Sequence, residues 1–260
     1  MSDPHASAKI NAMLRMLAVT AHPDDEAAFF GGSLRLYSDR GVETSVVCLT
    51  AGQAGSHRGG VRDDHELSGV RRKEFAASCA VLNVSRFAVL DYQDGQLHRI
   101  EMHRAVADLV RHIREFRPHV VLSMGPEGAI TGHTDHSMAS VFTTLAFHWA
   151  GRSNRCADQL DAGLHPHRAQ KLYYSTSSAA LPGRQPISFP PCTARITLGP
   201  YLQAKIDAFH AHQTQSPVFP IFDAHVAKIG DPELFNLAAS AVPANASMET
   251  NLFAGIKDES

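Results

Sequence analysis

Short apolar runs punctuate the first half of the chain: "MLAVT" from Met16, "TSVVCLT" from Thr44 to Thr50, "RFAVLDY" from Arg86 and "HVVLSMG" from His119. Their near-continuous Val and Leu content suits strands buried on both faces. Between them lie longer stretches that read as helices, Ala27 to Arg40, Asp64 to Leu82 and Ile100 to Phe116, and another follows from Ser137 to Ala150. Strands alternating with helices predict a Rossmann-like α/β fold, a three-layer sandwich with a mostly parallel sheet. Beyond Ala150 the regularity fades. Gly151 to Arg168 and Ala179 to Thr193, rich in Gly, Pro, Arg and Ser, read as long loops around the strand "KLYYST", and a helix is expected from about Pro200 to His212.

In such a sheet the loops after successive strands emerge at one carboxyl edge, where ligands bind. The polar loops "HPDDE", "AGQAG", "YQDGQ" and "GPEGAITGHTDH" should therefore converge there. The first poses a physical problem. A buried strand that runs straight into Asp24, Asp25 and Glu26 gathers carboxylates where an unpaired buried charge costs several kcal/mol. A divalent cation would remove that cost. His22 and Asp25 in one loop, with the pair His133 and His136 in another, offer the two imidazoles and one carboxylate of a catalytic zinc site whose fourth position stays open. Taken singly, each fragment reads as well as a helix terminus: Asp24 and Asp25 suit a helix dipole, and Thr134 or Asp135 suits a cap. Their joint occurrence at strand ends favours the metal site.

Composition narrows the partner. A chain of 260 residues, 44% hydrophobic, can bury one large core. We expect a single domain over residues 13–260 after a flexible leader, 1–12. A formal net charge of -2 and the lack of a Lys/Arg run argue against nucleic acid or an anionic membrane surface. No stretch suits a bilayer span or a cleaved signal. Cys48, Cys79, Cys156 and Cys192 form no CxxC pair, which fits a reducing, cytoplasmic compartment. A small-molecule substrate is expected, and the composition admits a homo-oligomer.

The blocks "AHPDDE", "RRKEFAASCAVLNV", "DYQDG" and "GHTDH", with "AKIDAFHAHQTQ" and "ETNLFAGI" further on, resemble in order and spacing the LmbE-like/PIG-L family of zinc-dependent N-acetylglucosaminide deacetylases. The resemblance implies a metal hydrolase that removes the N-acetyl group from an N-acetylglucosamine-type sugar or glycoconjugate. It implies Zn2+, or alternatively Fe2+, held by His22, Asp25 and His136. Asp24 would be the general base, and a protonated His133 would stabilise the oxyanion or assist the leaving group. Arg71 and Asp94 resemble residues on the sugar-binding side. On their own terms, Arg71 reads equally as a helix-surface partner of Glu74, and Asp94 as a turn residue. His212, in "AHQTQ", is a candidate to support the site from behind, whereas Phe147 and Trp149 read as helix packing.

Two departures from the family pattern bear on catalysis. Gln53 stands where the second loop often carries an acid, and Thr131 stands where many relatives have an aromatic, usually tyrosine. A catalytically silent, metal-containing sugar-binding protein of the same fold is the alternative; the presence of both Asp24 and His133 speaks against it. A nucleotide-binding module fits less well, because no GxGxxG follows the first strand and acids at that turn would repel a pyrophosphate.

Overall fold

The computed structural model describes residues 13–179, 181, 187–243 and 247–257; the expected leader and part of the expected loop Ala179–Thr193 lie outside them. The strands are β1 (Arg15–Thr20), β2 (Glu43–Thr50), β3 (Arg86–Tyr92), β4 (Val120–Ser123), β5 (Lys171–Thr176), β6 (Ala194–Thr197) and β7 (Pro232–Ser240). They form one sheet in the order β3-β2-β1-β4-β5-β7-β6. The first five run parallel to one another, while β7 runs antiparallel to both β5 and β6.

Both faces of the central strands are buried, as their apolar runs require. Met16 and Ala18 of β1 join one core with Phe30, Phe75 and Leu122; Leu17 and Val19 join the other with Leu109, Ile113 and Phe142. The first core is roofed by α1 (Asp25–Asp39) and α2 (Asp64–Val81), the second by α3 (Met102–Phe116) and α4 (Thr134–Ala150). A short α5 (Ala157–Asp161) interrupts the first expected loop, and α6 (Tyr201–His210) and α7 (Phe219–Ile229) follow β6. No helix among the described residues is long and apolar enough to cross a membrane.

The strand order positions the site. From β1 the chain winds outward to β2 and β3, then returns to β4 on the other side of β1 and continues to β5. The crevice between the carboxyl ends of β1 and β4 is thus the switch point at which open α/β sheets bind ligands. These two strands pair from Met16↔Val120 to Ala18↔Leu122, so the loops bearing "HPDDE" and "GHTDH" leave the sheet side by side.

The helices at this crevice start earlier than the sequence predicts. The first begins at Asp25 rather than Ala27 and the fourth at Thr134 rather than Ser137, which puts Asp25 and His136 into first helical turns. The region after His212, for which the sequence pattern suggested no element, forms α7 and β7. The segment "PELFNLAAS" begins with proline and has no β-branched residue, so its strand character comes from pairing with β5 and β6 rather than from propensity. Glu233 at its start is fastened by a buried ion pair to Lys205 of α6, 2.7 Å away.

Candidate active site

Asp25 is the hub of the crevice. Its Oδ2 accepts the backbone N–H groups of Ala21 and His22 at 3.1 and 2.8 Å, and its Oδ1 lies 3.2 Å from His136 Nε2. His22 Nδ1 is 3.6 Å from the same carboxylate. The remaining contacts of each ring show which nitrogen can face a cation. His136 Nδ1 is 3.2 Å from the carbonyl oxygen of Gly128, which can only accept, so Nδ1 carries the proton and Nε2 offers a lone pair to Asp25. His22 Nε2 lies 3.1 Å from Asp94 Oδ1 and 3.3 Å from Asp135 Oδ2, so it donates to carboxylates and leaves Nδ1 for Asp25. A ring lone pair and a carboxylate repel unless a proton or a metal ion lies between them. The donor set therefore fits a divalent cation shared by His22, Asp25 and His136, with the carboxylate–histidine support common behind metal ligands.

The electrostatics agree. Burial works against charge on His22, yet its hydrogen bonds to Asp135 and Asp94 and the charge of Asp25 push its pKa up to about 10. Burial likewise opposes ionisation of Asp25, but the His136 and His22 rings hold its carboxyl well below the usual carboxylate range. The crevice is built to hold positive charge between anions.

Asp24 has the opposite character. It is the residue before α1 and adopts φ 116°, a conformation costly for a residue with a Cβ. Two contacts hold it there: its N–H donates to Glu26 Oε2 at 3.0 Å, and Arg71 Nη2 donates to its Oδ2 at 3.1 Å. Burial pushes its pKa up to about 6, with Arg71 pulling the other way. Glu26 is itself fully buried, and its Oε1 lies 2.6 Å from both Ser78 Oγ and His212 Nε2. His212 thus braces the "HPDDE" loop from behind, through Glu26.

His133 caps α4, its Nδ1 accepting the N–H of Asp135 at 3.1 Å. Its ring centroid lies 4.8 Å from that of His22 and 5.3 Å from that of His136. Partial burial and the neighbouring imidazoles lower its pKa. The structure thus favours a neutral His133 that donates through Nε2–H, where the sequence reading expected an imidazolium.

Against this geometry the comparisons with known proteins are direct. The family profile described as "PIG-L: GlcNAc-PI de-N-acetylase" matches residues 17–147. The chain belongs to the PIG-L family. It is 30% identical to the diacetylchitobiose deacetylase of Thermococcus kodakarensis over 80% of this chain and 72% of that protein. It is 28% identical to a 1D-myo-inositol 2-acetamido-2-deoxy-alpha-D-glucopyranoside deacetylase of Catenulispora acidiphila, over 93% and 97% of the two chains. Among solved structures, N,N'-diacetylchitobiose deacetylase from Pyrococcus horikoshii matches with a TM-score of 0.71 at 23% identity, covering 86% of this chain and 83% of that one. A hydratase from Pseudomonas putida superposes nearly as well, with a TM-score of 0.70 at 20% identity over 90% and 100% of the chains. Likeness at that level shows the fold alone, so the reaction has to be read from the side chains.

The matched PIG-L stretch also holds Arg71 and Asp94, the two residues expected on the sugar-binding side. Arg71 was expected to touch sugar. Its guanidinium is buried, donating to the carbonyl oxygens of Pro23 and Gly52 and to Asp24. It does not pair with Glu74, which binds the N–H and hydroxyl of Thr214. Asp94 was expected to accept two hydroxyls. Its Oδ1 faces His22, and its Oδ2 accepts the Ala54 N–H at 3.0 Å. Both residues border the charge cluster, and each is held there by hydrogen bonds, as buried polar groups require.

Sequence reasoning missed Asp135. It is completely buried and accepts from Gly95 N at 2.7 Å and Leu97 N at 3.2 Å while facing His22. The acid between the two histidines of "GHTDH" was the available signal. Thr131, at the aromatic position of many relatives, has its Oγ1 3.1 Å from His136 Nδ1 and so helps orient that ring. Gln53 donates to the Tyr92 carbonyl oxygen and ties the second loop to the third.

Glycine at position 52 is a steric requirement of this arrangement. Its φ is +65°, and a Cβ there would lie 2.1 Å from Arg71 Nη1. Gly52→Ala should displace the guanidinium and release Asp24, lowering kcat by about ten- to a hundredfold, the cost of a small misplacement at a reacting group. Metal analysis beside steady-state kinetics checks this, and metal content should be unchanged.

Proposed function

We propose that this PIG-L protein is a metal-dependent amidohydrolase that removes the acetyl group from an N-acetylglucosamine-type sugar or glycoconjugate, with zinc as its metal. The observation that carries the reading is the carboxylate of Asp25 faced by ring nitrogens of His22 and His136, with a second acid, Asp24, held beside it at a raised pKa. The names of the relatives supply the substrate class. His22, Asp25 and His136 would hold the metal, which supplies Lewis acidity to the acetamide carbonyl and the attacking water.

The chain's own groups do the rest. Asp24 accepts a proton from water as the C–O bond forms, and the same proton passes to the nitrogen as the C–N bond breaks, yielding acetate and the free amine. Arg71 keeps Asp24 aimed and favours its ionised form. Neutral His133 donates its Nε2–H to the oxygen on which charge develops. Asp94 and Asp135 orient His22 and fix its tautomer. A base kept at a pKa near neutrality supports an enzyme over a silent sugar-binding protein. The free cysteines favour a cytoplasmic setting.

The deciding experiment is acetate release from a panel of N-acetylglucosaminides by protein stripped of metal and reconstituted with Zn2+ or Fe2+. Turnover that appears with metal is expected, and none with any metal or sugar overturns the reading. A second ligand set has an observation behind it, since nitrogen atoms of His22, His133 and His136 lie within 4.8 Å of one another. His133→Ala separates the two. We expect an unchanged metal content and a kcat lower by about a hundred- to a thousandfold, as for loss of one oxyanion donor; loss of the metal would make His133 a ligand instead.

A further inference from the structure

A cavity of about 340 Å³ opens from Asp24, Asp25 and His136 and runs away from the polar loops toward α7. Its near end is polar, with Thr131 and Ser175 among its walls, but its far end is formed by Val218, Ile221, Phe222, Ile229 and Leu234. Phe29 stands at the junction, its ring edge-on to that of His136 with centroids 5.6 Å apart. The helix that closes the far end is unusual in its economy. Only Val226 of α7 is buried, and Ile221 is 56% exposed although the sequence "FPIFDAHVAKI" is mostly apolar. Phe219 and Phe222 pack on Phe209 of α6, but Ile221 loses its burial energy unless something apolar comes to lie against it.

Resting on the reading of the site as an N-acetylglucosaminide deacetylase, we infer that this cavity receives an apolar substituent at C1 of the sugar, an alkyl or aryl aglycone. The acetamide is anchored at the metal ligands and ends in one methyl group, which needs little of the space. The pyranose ring carries hydroxyls around its edge, and burying them against the α7 wall would leave each without a partner. The ring therefore belongs at the polar end. C1 adjoins C2, the carbon that bears the acetamide, so its substituent is the part of the substrate that reaches the apolar end. The cavity wall also carries the basic side chains Arg195, Lys205 and His225, of which Arg195 is exposed. Lys205 is already neutralised by Glu233, and burial beside Lys205 and Lys228 keeps His225 toward its neutral form.

The test is a series of methyl, butyl and hexyl N-acetylglucosaminides, assayed with the metal-reconstituted full chain beside a series of N-acyl homologues and diacetylchitobiose. We expect kcat/KM to rise about fourfold per methylene of the aglycone until the cavity is filled, the factor for burying one CH2. Phe222→Ala and Ile221→Ser, checked for normal metal content, should flatten the rise. A flat aglycone series, a preference for diacetylchitobiose, or a rise confined to the N-acyl series would overturn the inference. Calorimetric binding of the methyl and hexyl glycosides to metal-loaded Asp24→Asn protein decides the matter without turnover. Tighter binding of the hexyl glycoside with a more negative heat-capacity change is expected. If no glycoside is hydrolysed but this binding difference stands, the proposed reaction fails and the apolar cavity site survives; equal binding of the two glycosides removes the cavity site.

Discussion

His136→Ala should purify without its metal and without activity. The ring supplies Nε2 to the cluster at 3.2 Å from Asp25 Oδ1, and no other described side chain is held at that point by Gly128 and Thr131. Removing it leaves two ligands and an open coordination sphere, so affinity should fall by far more than the ten- to hundredfold, roughly, that loss of a supporting partner costs. Thr131→Val provides the graded control. It keeps the ring and deletes one hydrogen bond, so its affinity loss should be about tenfold. Elemental analysis of proteins purified without added metal, followed by competition with a chelator, measures both. A wild-type metal content in His136→Ala would remove His136 from the ligand set.

Asp24→Asn should show the converse: full metal, intact fold and a kcat lower by about a hundredfold or more, the contribution of a positioned proton acceptor. The amide matches the carboxylate in shape and relieves the buried charge that raises its pKa to about 6. The same group sets the acidic limb of the wild-type profile. Asp24 acts only when ionised, so kcat/KM should be steady above its pKa and fall as pH drops through it. A cation at His22, Asp25 and His136 draws the limb to about 6 or lower. A normal rate in Asp24→Asn would mean that the base lies elsewhere and that Asp24 serves only to start α1.

Much of this arrangement was legible because it is local. His22 and Asp25 lie three positions apart in "HPDD", and His133 and His136 three apart in "GHTDH", each motif in the loop that follows an apolar strand. The parallel sheet then brings them together by topology alone, since β1 and β4 are neighbours at the switch point. The tasks of Arg71 and Asp135 were not legible in the same way. Arg71 meets Asp24 across 47 positions and Asp135 meets His22 across 113, and nothing in the spacing of either residue tells which buried acid or base it will find.

The amino-acid sequence by itself determined the elements up to α4, the crevice they create and the residue types gathered in it, because burial on two faces and helix termini are properties of short windows. Tertiary structure decided what those residues do to one another: that Arg71 and Asp94 face the charge cluster, that His133 accepts the Asp135 N–H at the start of α4, and that Asp24 is clamped in a strained conformation. It also decided the far wall of the cavity. The residues of β7 carry little strand preference, so that strand takes its form from β5, β6 and the Lys205–Glu233 pair, while α7, which buries only Val226, rests through Phe219 and Phe222 on Phe209 of α6. A pattern read along the chain cannot reveal such an outcome, because the free energy that selects it comes from contacts between segments far apart in sequence.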